Sequence, residues 1–181
     1  MVLTSHKRAE QREQAVDMNA PVPIVRAPGE GDKRNFFGGG LHTWKLMAED
    51  TDGAFFLFED ALTRGKTTPL HRHPDSDETV YVLEGEILVN VDGSESRVGT
   101  GGMSFVPRGV AHAFLVVSDR ARLLTLKTPG VGQEFYRGAS EPATDDTRET
   151  VDIARIQASA KENPRGIELL GPPPFETVTA R

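Results

Sequence analysis

The sequence predicts an all-β protein, a sandwich or barrel of many short strands. Three observations predict it. The 181 residues include 18 Gly and 12 Pro, a high load of turn formers. Short β-prone segments follow one another from Leu41 to Thr128, each bounded by turn residues. Helical periodicity is confined to the two ends of the chain.

Residues 1–34 read as an N-terminal arm. Leu3 to Val16 is polar with few apolar positions, and Pro21, Pro23, Pro28 and Gly29 then interrupt any regular element. Met18 is read as an alternative start. The barrel is assigned to residues 35–138. Thr43–Ala48 and Ala54–Leu62 flank a hairpin turn over 49–53, and Thr79–Leu83 is expected to pair with Glu86–Val91 around Glu84-Gly85. Asp92-Gly93 marks a tight turn, and Met103–Val106, Ala111–Ser118 and Arg120–Thr128 complete the strands. Residues 139–181 read as a linker, a short helix and a tail. Ile153, Ile156 and Ala160 lie at helical spacing behind Asp152, a candidate N-cap, and Pro172-Pro173-Pro174 cannot continue a helix.

Composition narrows the function. The net charge is −6 and no basic stripe appears, so nucleic acid and anionic membranes are not expected partners. No apolar run is long enough to span a bilayer, and the N-terminus lacks the apolar region of a secretory signal, so the reading is cytoplasmic. The chain has no cysteine, which excludes disulfides, iron–sulfur clusters and thiol catalysis. A metal site would have to use nitrogen and oxygen ligands.

Gly65 to Gly85 reads GKTTPLHRHPDSDETVYVLEG. His71 and His73 are two apart, so on a strand their imidazoles share a face. Glu78 lies an odd number of residues further on and joins them only if Pro74-Asp75-Ser76-Asp77 breaks the strand and resets its phase. His112 follows the turn residues Pro107 and Gly109 and can close the site from a neighbouring strand. Three neutral imidazoles and one carboxylate suit Ni, Mn, Fe, Co, Cu or Zn better than Ca or Mg, which gives one divalent transition-metal ion without choosing among them. Strand parity places Val80 and Val82 on the face of Glu78, and Phe114 and Val116 on that of His112. The expectation is an apolar pocket for a small organic, aromatic ligand. His6 and His42 read as satisfied side chains without a metal role, and Phe55, Phe56 and Phe58 as core.

The first stretch resembles the cupin motif of Gly, five residues, His-x-His, four residues, Glu, six residues and Gly, with Gly65, His71, His73, Glu78 and Gly85 in place. The second motif is matched at Gly101, Pro107, Gly109 and His112, while Val116 stands where the family has Asn. The ending GIELLGPPP is also similar to the tails of small bacterial monocupins. The resemblance implies a double-stranded β-helix, or jelly-roll barrel, with an extended N-terminal arm and a short C-terminal helix. It further implies a likeness to quercetinase-type flavonol dioxygenases, with His71, His73 and His112 as metal ligands and Glu78 as both ligand and general base. An oxygen-independent isomerase, cyclase or decarboxylase is the alternative enzyme, and a small-molecule binding module the non-enzymatic one. A homodimer is expected, because small barrels leave sheet edges and residues 20–40 could add a strand to a neighbour.

Overall fold

A computed structural model describes residues 21–144 and 151–175. The N-terminal segment to Met18, His6 and much of the linker therefore lie outside the described residues.

The strands are β1 (Asp32–Phe36), β2 (Leu41–Leu46), β3 (Phe56–Thr63), β4 (Leu70–Arg72), β5 (Asp77–Glu84), β6 (Glu86–Val91), β7 (Ser94–Gly99), β8 (Met103–Val106), β9 (His112–Val116) and β10 (Arg120–Thr128). Helix α1 (Gln133–Gly138), β11 (Ser140–Pro142), α2 (Ile153–Glu162) and β12 (Glu168–Gly171) follow. A seven-stranded sheet runs β11-β1-β2-β3-β10-β5-β8, and a five-stranded sheet runs β12-β4-β9-β6-β7. Every pairing is antiparallel. Leu62, Val80, Val82 and Leu123 from the first sheet pack on Ile87, Val89 and Val116 from the second, so the sheets close face to face on one core as an all-β jelly roll.

Alternation in sequence becomes alternation in burial. Phe56, Phe58, Asp60 and Leu62 of β3 point inward, as do Ala121, Leu123, Thr125 and Lys127 of β10. Asp92 and Gly93 both have positive φ (50° and 79°) and join β6 to β7 with Val91 opposite Ser94, the mirror-image turn that matches strand twist.

The expected hairpin of β2 with β3 forms, and one local expectation, the pairing of β5 with β6, is corrected. β5 and β6 are consecutive but do not pair. β5 lies between β10 and β8, and β6 between β7 and β9 in the other sheet. The chain changes sheets at Gly85 (φ 83°), where an added Cβ would meet the Arg120 carbonyl oxygen at 2.2 Å. The connection from β2 to β3 contains a short 3-10 turn, Ala48–Thr51, held to α1 by Gln133: its Oε1 accepts from Ala48 N at 2.6 Å, and its Nε2 donates to Glu49 at 2.8 Å.

The segments read as arm and tail supply strands to the sheets. β1 pairs with β2 and β11 of its own chain, and β12 pairs with β4. Asp152 caps α2 by accepting from Arg155 N at 3.1 Å. Ile156 and Ala160 of α2, with Ile167, join a second core of Phe37, Trp44, Phe56, Phe58, Phe135 and Tyr136. These apolar positions have no local partner in sequence, and α1, α2 and β12 are what they fold against. Among the described residues no helix is long and apolar enough to cross a membrane.

Candidate metal centre

His71 lies in β4, opposite His112 at the start of β9, and His73 follows β4 directly. No strand covers Pro74–Ser76, and β5 resumes at Asp77 with Glu78, Val80 and Val82 all buried inward. The phase reset that Glu78 needed is therefore present. Two contacts hold the loops in place. Gly109 N donates to the His73 carbonyl at 2.8 Å. Arg108 reaches Asp77 with Nε at 3.0 Å and a terminal nitrogen at 2.9 Å, a two-pronged pair beside Glu78. That pair, with the Arg108 amide, brings the Asp77 carboxyl down to about 2.

The four side chains converge. One ligand atom from each of His71, His73, Glu78 and His112 lies within 4.8 Å of all the others, and all four side chains are buried. Each imidazole is oriented by its far nitrogen. Nδ1 of His71 lies 2.8 Å from the Pro69 carbonyl, that of His73 2.6 Å from the Gly166 carbonyl, and that of His112 2.9 Å from the Val110 carbonyl. A carbonyl only accepts, so each Nδ1 carries the proton and each Nε2 presents a lone pair. Nε2 of His73 and of His112 are buried without a hydrogen-bond partner, yet they sit 3.2 and 3.3 Å from the Glu78 oxygens. Lone pairs from nitrogen and oxygen facing one another at that distance call for a cation between them. The residues thus fit a divalent ion on the tautomers they adopt.

The electrostatics agree. Burial holds His71 well below its ordinary value, and burial with the Lys127 ammonium lowers His73 to about 4. Both imidazoles are neutral at neutral pH and ready to coordinate. Burial alone would raise the Glu78 carboxyl, but the Lys127 ammonium opposes it, and Glu78 is held well below the carboxylate range. Lys127 Nζ donates to Glu78 Oε2 at 2.7 Å, and burial lowers the lysine to about 8.

Lys127 and the Gly166 carbonyl were not found by sequence reasoning. Lys127 had a signal: it continues the inward series Ala121, Leu123, Thr125 along β10. A backbone acceptor from a distant loop has none. Among the expected pocket walls, Val80 and Phe114 line a cavity of about 10 Å³ against Glu78 and His112, room for about one water molecule. Val82 and Val116 point inward as parity required but lie deeper in the core and do not line it. His42 is remote from the cluster in role: its ring is stacked between Phe36 at 4.5 Å and Phe58 at 4.8 Å, with Nε2 2.9 Å from Asp60.

The family model described as the cupin domain matches residues 60–127, the stretch that carries all four converging side chains. SchB of Streptomyces halstedii is 31% identical over 60% of this chain and 77% of its own length. The chain belongs to the cupin family. Other relatives include quercetin 2,3-dioxygenase of Bacillus subtilis, 31% identical over 67% of this chain and 36% of that protein. The tetracenomycin polyketide synthase protein TcmJ of Streptomyces glaucescens is 39% identical over 40% of this chain and 50% of its own. The chain thus spans half or less of the length of these two. KdgF from Halomonas sp. superposes with a TM-score of 0.54 at 18% identity, over 60% of this chain and 94% of that one, a likeness of fold.

Proposed function

We propose that this cupin is a metal-dependent dioxygenase acting on a small aromatic or enolisable substrate. The observation that carries the reading is the tautomer arrangement: three Nδ1–H groups spent on carbonyls and the imidazole Nε2 atoms gathered with the Glu78 carboxylate in one buried cluster. Likeness to quercetin 2,3-dioxygenase over 67% of the chain supports the substrate class. His71, His73, Glu78 and His112 would hold the ion, which would supply Lewis acidity toward a substrate oxygen and lower the pKa of an enol hydroxyl.

The remaining work falls to the chain. Glu78 is held as a carboxylate and can accept the hydroxyl proton on Oε1, since Lys127 occupies Oε2. Val80, Val106 and Phe114 line the cavity beside it and limit water. The test is oxygen uptake by the metal-reconstituted protein on addition of quercetin, with Glu78→Gln as control. The reading expects uptake that the variant abolishes. Absence of uptake with each of the six candidate metals (Ni, Mn, Fe, Co, Cu and Zn) would overturn it. The likeness to a polyketide synthase protein favours, as second reading, oxygen-independent chemistry on an enolisable substrate with the same ion and Glu78. Substrate conversion under anaerobic conditions distinguishes the two.

A further inference from the structure

Lys127, as an ammonium, has no lone pair and cannot itself ligate an ion. Its side chain is fully buried, and among the described residues its one hydrogen-bond partner is Glu78 Oε2 at 2.7 Å. An ammonium has three N–H groups, and buried donors are ordinarily satisfied. Among the described residues, then, one of its three donors meets a hydrogen-bond acceptor. Its place is also specific. Along the two ladders that flank β10, Lys127 is paired with Glu78 on one side and with Phe56 on the other. Lys127 thus stands at the boundary between the four-residue cluster and the aromatic core of Trp44, Phe56, Phe58 and Tyr136.

A cation at that point opposes a bare dication through like-charge repulsion. With a divalent ion bound, three neutral imidazoles and one carboxylate leave net positive charge, and the ammonium adds to it. An anion relieves the excess charge and offers the ammonium a further acceptor. We propose that Lys127 is an anion-recognition residue, donating to the anionic oxygen of an aromatic enolate or carboxylate seated against the cluster. This rests on the reading of His71, His73, Glu78 and His112 as a metal centre, and does not require that oxygen be used.

The test is titration of the Co(II)-loaded protein with azide, a small anion, and with imidazole, a neutral ligand, followed by visible absorption. Lys127→Met is expected to weaken azide binding about tenfold or more, the scale of a hydrogen bond to a charged group, and to leave imidazole binding within about threefold. Lys127→Arg should keep azide affinity, and metal-free Lys127→Met should take up Co(II) more tightly than the unchanged protein. Lys127→Gln, which retains a donor but no charge, takes the place of the methionine variant if that one does not fold. Azide binding that ignores Lys127, or falls in step with imidazole, would overturn the proposal. Failure to take up Co(II) at all would instead remove the metal reading beneath it. Absent oxygen uptake with unchanged azide results would remove only the dioxygenase.

Discussion

Inside one barrel the protein buries two groups of side chains that follow opposite energetic rules. Around Trp44, Phe56, Phe58 and Tyr136 the contacts are ring on ring, with centroids 5.1 Å apart for Phe58–Tyr136 and 5.5 Å for Trp44–Phe56. Each such ring gains from leaving water. Around Glu78 the buried groups are three imidazoles, a carboxylate and an ammonium, each of which loses hydration. The aromatic region stabilises the barrel, and the polar region is held in place by it. A cluster that costs stability and is tied down by three backbone carbonyls and a buried lysine is organised for binding.

The two regions are expected to respond differently to damage. Phe56→Ala removes a fully buried ring and should destabilise the fold by about 3–5 kcal/mol, read by denaturant unfolding of the metal-free protein. Residual folded protein should still bind metal. If Phe56→Ala lost metal binding while keeping its stability, the division of labour would be reversed.

A smaller effect tests how the polar region is held. Truncation before Pro164 removes Gly166, whose carbonyl accepts from His73 Nδ1 at 2.6 Å, together with β12. Loss of such an orienting partner should weaken metal affinity about 10–100-fold, measured by competition with a chelator, with near-ultraviolet circular dichroism reporting that the barrel persists. Unchanged affinity would mean that β4 alone fixes the imidazole.

The smallest effect is on pH dependence. His71 and His73 are harder to protonate in the fold than in the unfolded chain, so the folded metal-free protein binds fewer protons across that interval. Its stability should be full above 6.5, the unfolded histidine value, and fall as pH drops toward about 4, the value of His73 in the fold. Glu78, also lowered, extends the loss in the same direction at lower pH. Thermal unfolding against pH should show this fall, and removing both histidines should flatten it.

Much of the polar region was legible in the sequence because its residues are close together and obey strand parity. His71, His73 and Glu78 needed one turn, and Pro74-Asp75-Ser76 supplies its residue types. Asp92-Gly93 likewise specified its turn through backbone chemistry alone. What escaped depends on partners distant in the chain. Nothing in Glu86–Val91 says that its second neighbour is β9 and not the strand just before it. Lys127 pairs with a residue 49 positions away, and Gly166 meets His73 across 93. The parity of Val82 and Val116 was right, but parity gives a face and not a depth, so both lie in the core and not on the cavity.

His71, His73, Glu78 and His112 are expected to hold one divalent ion in a barrel that folds without it. The decisive measurement is elemental analysis of the protein after reconstitution with Ni, Mn, Fe, Co, Cu or Zn, beside His73→Ala. One ion per chain is expected for at least one metal, with a folded His73→Ala that retains none. Equal metal in both proteins, or none in either, would contradict it.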